Sequence, residues 1–177
     1  NTNVWSMITV DEQLGYVYVQ DPASMIPPVV LGAQPGERVM DLCAAPGSKT
    51  TQLAASLRNE GILVANDAQW QRLQALGLNL QRCGVSCAMI TLTANKKFPL
   101  GSFDRVLVDA PCSGTGTIRR SLKTMQMWSP GLVKRMQQEQ MRLMREHHIN
   151  PLQMLGCLPM FLQMPIWIAL WTSLQAS

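Results

Sequence analysis

The chain has 177 residues, of which 47% are hydrophobic and 15% are charged, and this composition excludes a disordered, collagen-like or disulfide-scaffold protein. Its formal net charge of +4 comes from one stretch, since residues 119–146 carry seven Lys or Arg against two Asp or Glu, whereas residues 147–177 carry no charged side chain. Five cysteines, an odd number without a CxxC pair, favour a reducing compartment such as the cytoplasm. The two histidines are adjacent, a spacing unsuited to sharing a metal ion, so no metal site is predicted.

Apolar runs alternate with segments of helical spacing along the first two thirds of the chain. The runs at residues 36–43, 61–66, 88–92 and 103–109 predict strands, and residues 49–57 and 69–82 predict helices between them. Strands that alternate with helices of about 10 to 15 residues are typical of βαβ units. The pattern therefore predicts an α/β fold with a mainly parallel sheet, whose functional residues lie at the carboxyl ends of the strands.

A further helix is predicted from Gly131 to about His147, with one apolar and one basic face. The inner face carries Leu132, Val133, Met136 and Leu143, and the outer face carries Lys134, Arg135 and Arg142. The chain then changes character, and residues 151–174 are apolar and long enough to cross a bilayer, which takes roughly 20 residues. Because Pro159 and Pro165 interrupt this stretch, the alternative is an apolar segment folded onto an unfinished sheet. We predict a domain at residues 1–146 and a tail at residues 147–177.

The first strand runs into a turn of small residues that precedes a helix. This segment reads Asp41-Leu42-Cys43-Ala44-Ala45-Pro46-Gly47-Ser48-Lys49-Thr50. Small side chains let the backbone approach a ligand closely, and the amides at a helix N-terminus can receive a carboxylate or a phosphate. A Walker A phosphate loop needs Gly directly before Lys, whereas Ser48 stands there, so that class of site is excluded.

Two further acidic residues follow predicted strands. Asp67 ends the second strand, where nucleoside-binding α/β folds place the acid that receives ribose hydroxyls, although a helix N-cap is an equally good interpretation. Asp109 ends the fourth strand and is followed by Ala110-Pro111-Cys112, which puts an acid and a thiol at the same sheet edge. A single cysteine is usually a buried and inert residue. Two such turns at one edge favour a functional site.

Together these segments resemble the NOP/Sun family, the RsmB/RsmF-like RNA cytosine-5 methyltransferases that use S-adenosylmethionine. The resemblance covers residues 15–144 and rests on Val19-Gln20-Asp21-Pro22-Ala23-Ser24-Met25, on residues 41–50 and 65–67, and on residues 104–116. It implies a Rossmann-like methyltransferase sheet, here truncated and followed by an apolar helical tail. The residues that it assigns to the cofactor are Cys43, Ala44, Ala45, Pro46, Gly47, Ser48, Lys49, Asp67 and Asp109.

The resemblance also implies how the reaction proceeds. Cytosine C5 accepts a methyl group only after a thiolate has added to C6, and a base must afterwards remove the C5 proton so that the thiol can leave. Asp109 is implied to lie between the cofactor and the base, and Cys112 to be the family's second cysteine, which releases the product. The basic residues Arg119, Arg120 and Lys123 beside this edge are candidates for binding the backbone of an rRNA or tRNA.

The chain departs from the family in two places. The family's nucleophile lies in a Thr-Cys-Ser segment, which this sequence does not contain, and Ala94 stands where the family has an acid near the cofactor. We therefore expect weakened cofactor affinity, and two interpretations stay open: a truncated enzyme in which Cys112 substitutes as the nucleophile, and a noncatalytic remnant that binds cofactor or RNA.

The tail has a resemblance of its own. Residues 146–174 are similar to a short stretch of YidC-type membrane insertases, which implies a fusion product and contact of residues 151–174 with a membrane. The alternative to membrane contact is that the apolar segment folds onto the sheet and covers its open edge.

Overall fold

A computed structural model of the chain describes residues 11–93, 98, 102–114, 122–146 and 154–156. Within these ranges ten helices and strands are labelled in chain order. They are α1 (Pro22–Leu31), β1 (Arg38–Asp41), α2 (Ser48–Ser56), β2 (Ile62–Asp67), α3 (Trp70–Arg82), β3 (Ala88–Leu92), β4 (Arg105–Val108), α4 (Leu122–Met127), α5 (Pro130–Glu146) and β5 (Met154–Gly156). The four strands and three helices predicted between residues 36 and 147 are all present, with bounds that differ by at most two residues.

The strands form one parallel sheet in the order β3-β2-β1-β4-β5. Strand β1 pairs with β2 through Arg38 and Ile62 and with β4 through Val39 and Arg105. The chain moves outward from β1 to β3 and then crosses to the other side of β1, so the strand order reverses between β1 and β4. Ligands of open α/β sheets bind at such a reversal, beyond the carboxyl ends of the strands. The prediction of an α/β, mainly parallel, Rossmann-like sheet is confirmed.

Alternating side chains along β1 supply the two sides of the core. Val39 belongs to a buried cluster with Leu53 of α2, whereas its neighbour Met40 packs in a second cluster with Leu143 of α5. Successive residues of a strand point to opposite faces. Helices α2 and α5 therefore cover opposite faces of the sheet, and α3 joins the α2 side through Leu76, which packs with Ala65 of β2.

Helix α1 is absent from the sequence-based prediction because Pro27 and Pro28 lie inside it. Its ends are nevertheless well specified. The Asp21 side chain accepts a hydrogen bond from the Ala23 amide at 2.9 Å, and Pro22 takes the first helical position, where a missing N–H costs nothing. Gly32 ends the helix with a φ of +64°, in the left-handed region. The helix brings Ser24 to the sheet edge described below.

Strand β5 lies inside the tail, in residues that the sequence predicts to be helical and unlike an α/β element. Val106 pairs with Met154, and Val108 pairs with Gly156. A parallel ladder uses backbone N–H and C=O groups, so three residues can join it without any amphipathic pattern. This part of the tail covers the open edge of β4, as the alternative interpretation expects. The rest of the tail lies outside the described residues, and within them no helix is both long and apolar enough to span a bilayer.

Asn66 joins three strand ends just before the functional edge. Its side-chain amide donates to the carbonyl oxygens of Leu42 at 3.0 Å and Thr93 at 3.2 Å, and its oxygen accepts from the Thr91 hydroxyl at 3.0 Å. The side chain is buried. Asn66 thus provides hydrogen-bond donors for backbone carbonyl groups that follow the last residues of β1 and β3.

We expect Asn66→Ala to lower the free energy of unfolding by about 2–4 kcal/mol, because it removes these bonds and leaves buried carbonyl groups without donors. Urea denaturation followed by circular dichroism measures the change. Gln137→Ala, on the exposed face of α5, is the control and should stay within about 0.5 kcal/mol of wild type. Equal stabilities of the two variants would contradict this role of Asn66.

Candidate functional site

The loop after β1 threads between β2 and α3. The Ala44 amide donates to the Asn66 carbonyl at 2.7 Å, and both Ala44 and Ala45 are buried. Gly47 has a φ of +109°, and a Cβ there would lie only 3.0 Å from Leu76 Cδ1, so this position requires glycine. As the N-cap of α2, Gly47 provides no side chain to bond the first amides of the helix. Those amides are available to an anionic group.

Asp41, the last residue of β1, is a buried acid beneath this loop. Its side chain is 1% exposed, and its Oδ2 accepts a hydrogen bond from the Thr50 hydroxyl at 2.8 Å. Burial raises the pKa of Asp41 to about 7, in spite of the bond from Thr50, and the nearby charge of Asp109 acts in the same direction as burial. Asp41 ties the loop to the first turn of α2 as a carboxyl group near its midpoint of ionisation at neutral pH.

Asp67, the predicted ribose-binding residue, is 2% exposed at the end of β2. Its Oδ1 accepts from the Gln69 amide at 3.0 Å, while its Oδ2 accepts from the Ala45 amide at 3.3 Å and pairs with Arg72 at 3.0 Å. A carboxylate oxygen has two lone pairs, so Oδ2 is saturated and Oδ1 has one left. To receive two ribose hydroxyls, Asp67 must therefore release Arg72.

The alternative interpretation of Asp67 as a helix N-cap is close to what the structure shows. The residue bonds the amide two positions on, in the turn before α3, while Gln69 holds the N-cap position itself. The same carboxylate also fixes the loop through Ala45.

An ion pair joins the two sheet-edge turns that the sequence singles out. Lys49 Nζ lies 2.6 Å from Asp109 Oδ2, and it also donates to the Ser24 hydroxyl of α1 at 2.8 Å. The side chains of Lys49 and Asp109 are 14% and 26% exposed, so water screens the pair only in part. Residues 60 positions apart in the sequence therefore meet at the reversal of strand order.

Two cysteines lie at this edge with different surroundings. Burial raises the pKa of Cys43 to about 12, and the neighbouring charge of Asp41 acts in the same direction. Cys43 is therefore a protonated thiol at neutral pH and is unsuited to nucleophilic attack. Cys112 is half-buried in the turn after β4, three residues beyond Asp109.

The predicted RNA-binding residues are only partly covered by the structure. Lys123 is exposed on α4, whereas Arg119 and Arg120 lie outside the described residues, as does Ala94. On α5, Lys134, Arg135 and Arg145 are exposed, and Arg142 pairs with Glu139 at 2.5 Å. Among the residues that the structure describes, no three His, Cys, Asp or Glu side chains form a metal-binding group.

Several residues that shape the site are absent from the sequence-based prediction. Arg72 carries a signal, because a cation in the first turn of a helix opposes the helix dipole unless an acid such as Asp67 neutralises it. Gln140 carries another, because it stands four residues after Met136, in the middle of the predicted apolar face of α5. Ser24 lies in the motif at residues 19–25, but nothing in the sequence spacing indicates a hydrogen bond to Lys49.

Comparisons with known proteins match this arrangement of motifs. Residues 28–158 match the family described as 16S rRNA methyltransferase RsmB/F, and the match extends past residue 146, where the sequence predicts a domain boundary. The tRNA (cytosine(49)-C(5))-methyltransferase of Pyrococcus abyssi is 47% identical over 126 residues, which are 70% of this chain and 40% of that protein. Ribosomal RNA small subunit methyltransferase F of Vibrio vulnificus is 44% identical over 68% of this chain and 27% of that protein.

A solved structure has the same fold. The crystal structure of NSun6 from Pyrococcus horikoshii with SFG superposes with a TM-score of 0.66 at 31% identity, covering 73% of this chain and 34% of that one. The present chain thus spans well under half the length of each of these relatives.

We expect the stability that Asp41 contributes to fall as the pH rises from about 4 to about 7. In this window the unfolded chain loses the Asp41 proton near the ordinary value of 3.8, whereas the folded chain keeps it up to about 7, so unfolding releases a proton. Urea denaturation of wild type and Asp41→Asn across this range measures the difference between their unfolding free energies. That difference should shift steadily against wild type as the pH rises.

Asp104→Asn is the control for this titration. In the wild-type chain, a hydrogen bond from Arg38 lowers the pKa of Asp104. The stability that Asp104 contributes is therefore lost only as the pH falls below the ordinary pKa of an aspartate. Asp104→Asn should leave the slope of the unfolding free energy against pH unchanged between pH 5 and 7. Parallel curves for wild type and Asp41→Asn would contradict the raised pKa of Asp41.

Proposed function

The chain belongs to the 16S rRNA methyltransferase RsmB/F family, and on this premise we propose that it is the cofactor-binding part of an S-adenosylmethionine-dependent RNA cytosine-C5 methyltransferase. The observation that carries the proposal is the ion pair between Lys49 and Asp109. It joins the loop after β1 (residues 42–47, the glycine loop) and the turn after β4 (residues 109–112, the Pro-Cys turn) into one site. We propose rRNA as the substrate class, with tRNA as the alternative. For such a substrate we propose a cytoplasmic location.

The described residues fit S-adenosylmethionine. Ala44 and Ala45 give the loop after β1 small buried side chains, α2 offers uncapped amides for a carboxylate, and Asp67 offers an acceptor at the end of β2. When bound, S-adenosylmethionine supplies an electrophilic methyl group on a sulfonium. We assign Cys43, Ala44, Ala45, Pro46, Gly47, Ser48, Lys49, Asp67 and Asp109 to its site.

Asp109 and Cys112 are the residues that we assign to the chemistry on the base. A thiolate that adds to cytosine C6 would make C5 nucleophilic, and S-adenosylmethionine would supply the methyl group that C5 receives. Removal of the C5 proton by a base would then let the C6–S bond break and return the thiolate. Lys49 and the end of β4 hold the Asp109 carboxylate in place beside this path. Of the two cysteines at the edge, Cys112 is favoured because the raised pKa of Cys43 keeps that thiol protonated.

The RNA must reach this edge with its target base unstacked, since C6 is otherwise inaccessible. We propose that Arg119, Arg120 and Lys123, which follow the Cys112 turn in the sequence, bind the phosphate backbone. Lys123 is exposed on α4, which supports this role. Membrane contact through residues 151–174 and the insertase resemblance of residues 146–174 remain predictions about the tail.

A noncatalytic remnant that binds cofactor or RNA is the alternative function. It is favoured by one specific observation, which is that Ala94 stands where the family has an acid near the cofactor. The remnant binds without turnover, so cofactor binding and methyl transfer are measured in separate experiments.

We expect the chain to bind S-adenosylmethionine and Asp67→Asn to weaken binding by roughly tenfold to a hundredfold, the usual effect of losing a hydrogen bond to a charged acceptor. Isothermal titration calorimetry measures the affinity. Asp104→Asn removes an exposed acid just before β4, at the amino ends of the strands, and should bind like wild type. No detectable binding by the wild-type chain would refute the methyltransferase proposal and the cofactor-binding form of the remnant.

We expect the wild-type chain to transfer methyl groups to cytosine C5 of 16S rRNA and Cys112→Ser to abolish the transfer, because a hydroxyl is a far weaker nucleophile than a thiolate. Incorporation of labelled methyl groups, followed by nucleoside analysis, measures this, with a tRNA transcript tested in parallel. Cys83→Ser is the matched control, since Cys83 lies at the end of α3. Cofactor binding without any transfer would instead support the noncatalytic remnant.

A further inference from the structure

Helix α5 buries one amide side chain at the edge of the proposed site. Gln140 is 7% exposed, and Leu143, one turn further on, packs in the core cluster that contains Ala110. The same face of the helix therefore presents an apolar group and a polar group to the segment after β4. Burying an unpaired amide costs about 1–3 kcal/mol, so its partner matters to the fold.

That partner is the turn that carries Cys112. Gln140 Nε2 donates to the Pro111 carbonyl oxygen at 2.8 Å, across 29 residues of sequence. The bond reaches the turn from a different secondary-structure element, and the burial of Gln140 protects it from competition by water.

The geometry of the peptide bond transmits this contact to Cys112. The carbonyl group of Pro111 and the amide and Cα of Cys112 lie in one plane, because the peptide bond does not rotate freely. A donor that holds the carbonyl oxygen therefore holds that plane, and with it the origin of the Cys112 side chain. On the other side of Pro111, Ala110 belongs to the same buried cluster as Leu143, so α5 supports the two consecutive residues that precede Cys112.

We propose that Gln140 is a positioning residue that sets the direction and accessibility of the Cys112 thiol by holding the peptide plane before it. The inference rests on the proposed function for its meaning, since a thiol that attacks or leaves cytosine C6 must be placed to within about 0.5 Å. Gln140 itself touches neither cofactor nor base in this proposal. It acts through the backbone of the turn.

Thiol labelling tests the proposal without requiring methyl transfer. In the folded wild-type chain and in Gln140→Met, which keeps the length of the side chain but removes the donor, iodoacetamide labelling rates are measured at each cysteine by peptide mass spectrometry. We expect the rate at Cys112 to rise about fivefold, because loss of one hydrogen bond releases a half-buried thiol. Rates at Cys43, Cys83 and Cys87 should stay within about twofold, and the affinity for S-adenosylmethionine should not change.

Three further variants make the result specific. Gln138→Met places the same substitution on an exposed position of α5 and should label like wild type. Gln140→His retains an N–H donor and should restore most of the protection at Cys112. Gln140→Leu, which has no donor and favours a helix, provides a second loss of the bond should Gln140→Met fold poorly.

Two results would overturn the proposal. The first is a Cys112 rate within about twofold of wild type, or below it, in both Gln140→Met and Gln140→Leu. The second is a rise at all cysteines together, which is the signature of a merely destabilised fold. Neither result bears on whether the chain binds S-adenosylmethionine, so failure of this proposal and failure of the proposed function are distinguishable.

Discussion

The ion pair between Lys49 and Asp109 is the interaction on which the arrangement of the site depends. Each residue follows a strand, and the two strands, β1 and β4, are neighbours only because the chain reverses its direction of travel across the sheet. A cation and an anion left unpaired at this half-buried edge would each lose hydration without compensation. The pair therefore fixes the spacing of the loop and the turn, and Ser24 attaches α1 to the same ammonium group.

Much of the fold can be predicted from the sequence, because most strands and helices are indicated by the pattern of apolar residues within them. Strand β3 has the bounds that the sequence predicts, Ala88–Leu92, since a short apolar run is enclosed there by polar residues and a helix. Helix α1 is not readable, because Pro27 and Pro28 oppose a helix locally while the Asp21 cap and the packing of Leu31 stabilise one. Strand β5 is not readable either, since a strand of three residues has too few positions to establish a period.

The candidate site divides in the same way. Its acids and cysteines are predictable because they stand in short motifs at strand ends, where residue type and position already indicate chemistry. Their partners are not, because Arg72, Gln140 and Ser24 acquire their roles only when distant elements meet. The structure also changes the interpretation of Asp67, whose carboxylate organises the loop and the start of α3 at the same time.

The strand order has a consequence for the sequence of events in folding. Strand β1 pairs with β2 at Arg38 and Ile62 but with β4 at Val39 and Arg105, so the second pairing closes a loop nearly three times as long. The added closure entropy amounts to only about 0.9 kcal/mol, but during synthesis β4 also leaves the ribosome after β1, β2 and β3. The half-sheet that carries the glycine loop can therefore assemble first, with one edge of β1 unpaired until β4 arrives. The loop after β1 is in place before the turn after β4, and the nascent chain is most prone to intermolecular strand pairing in the interval between them.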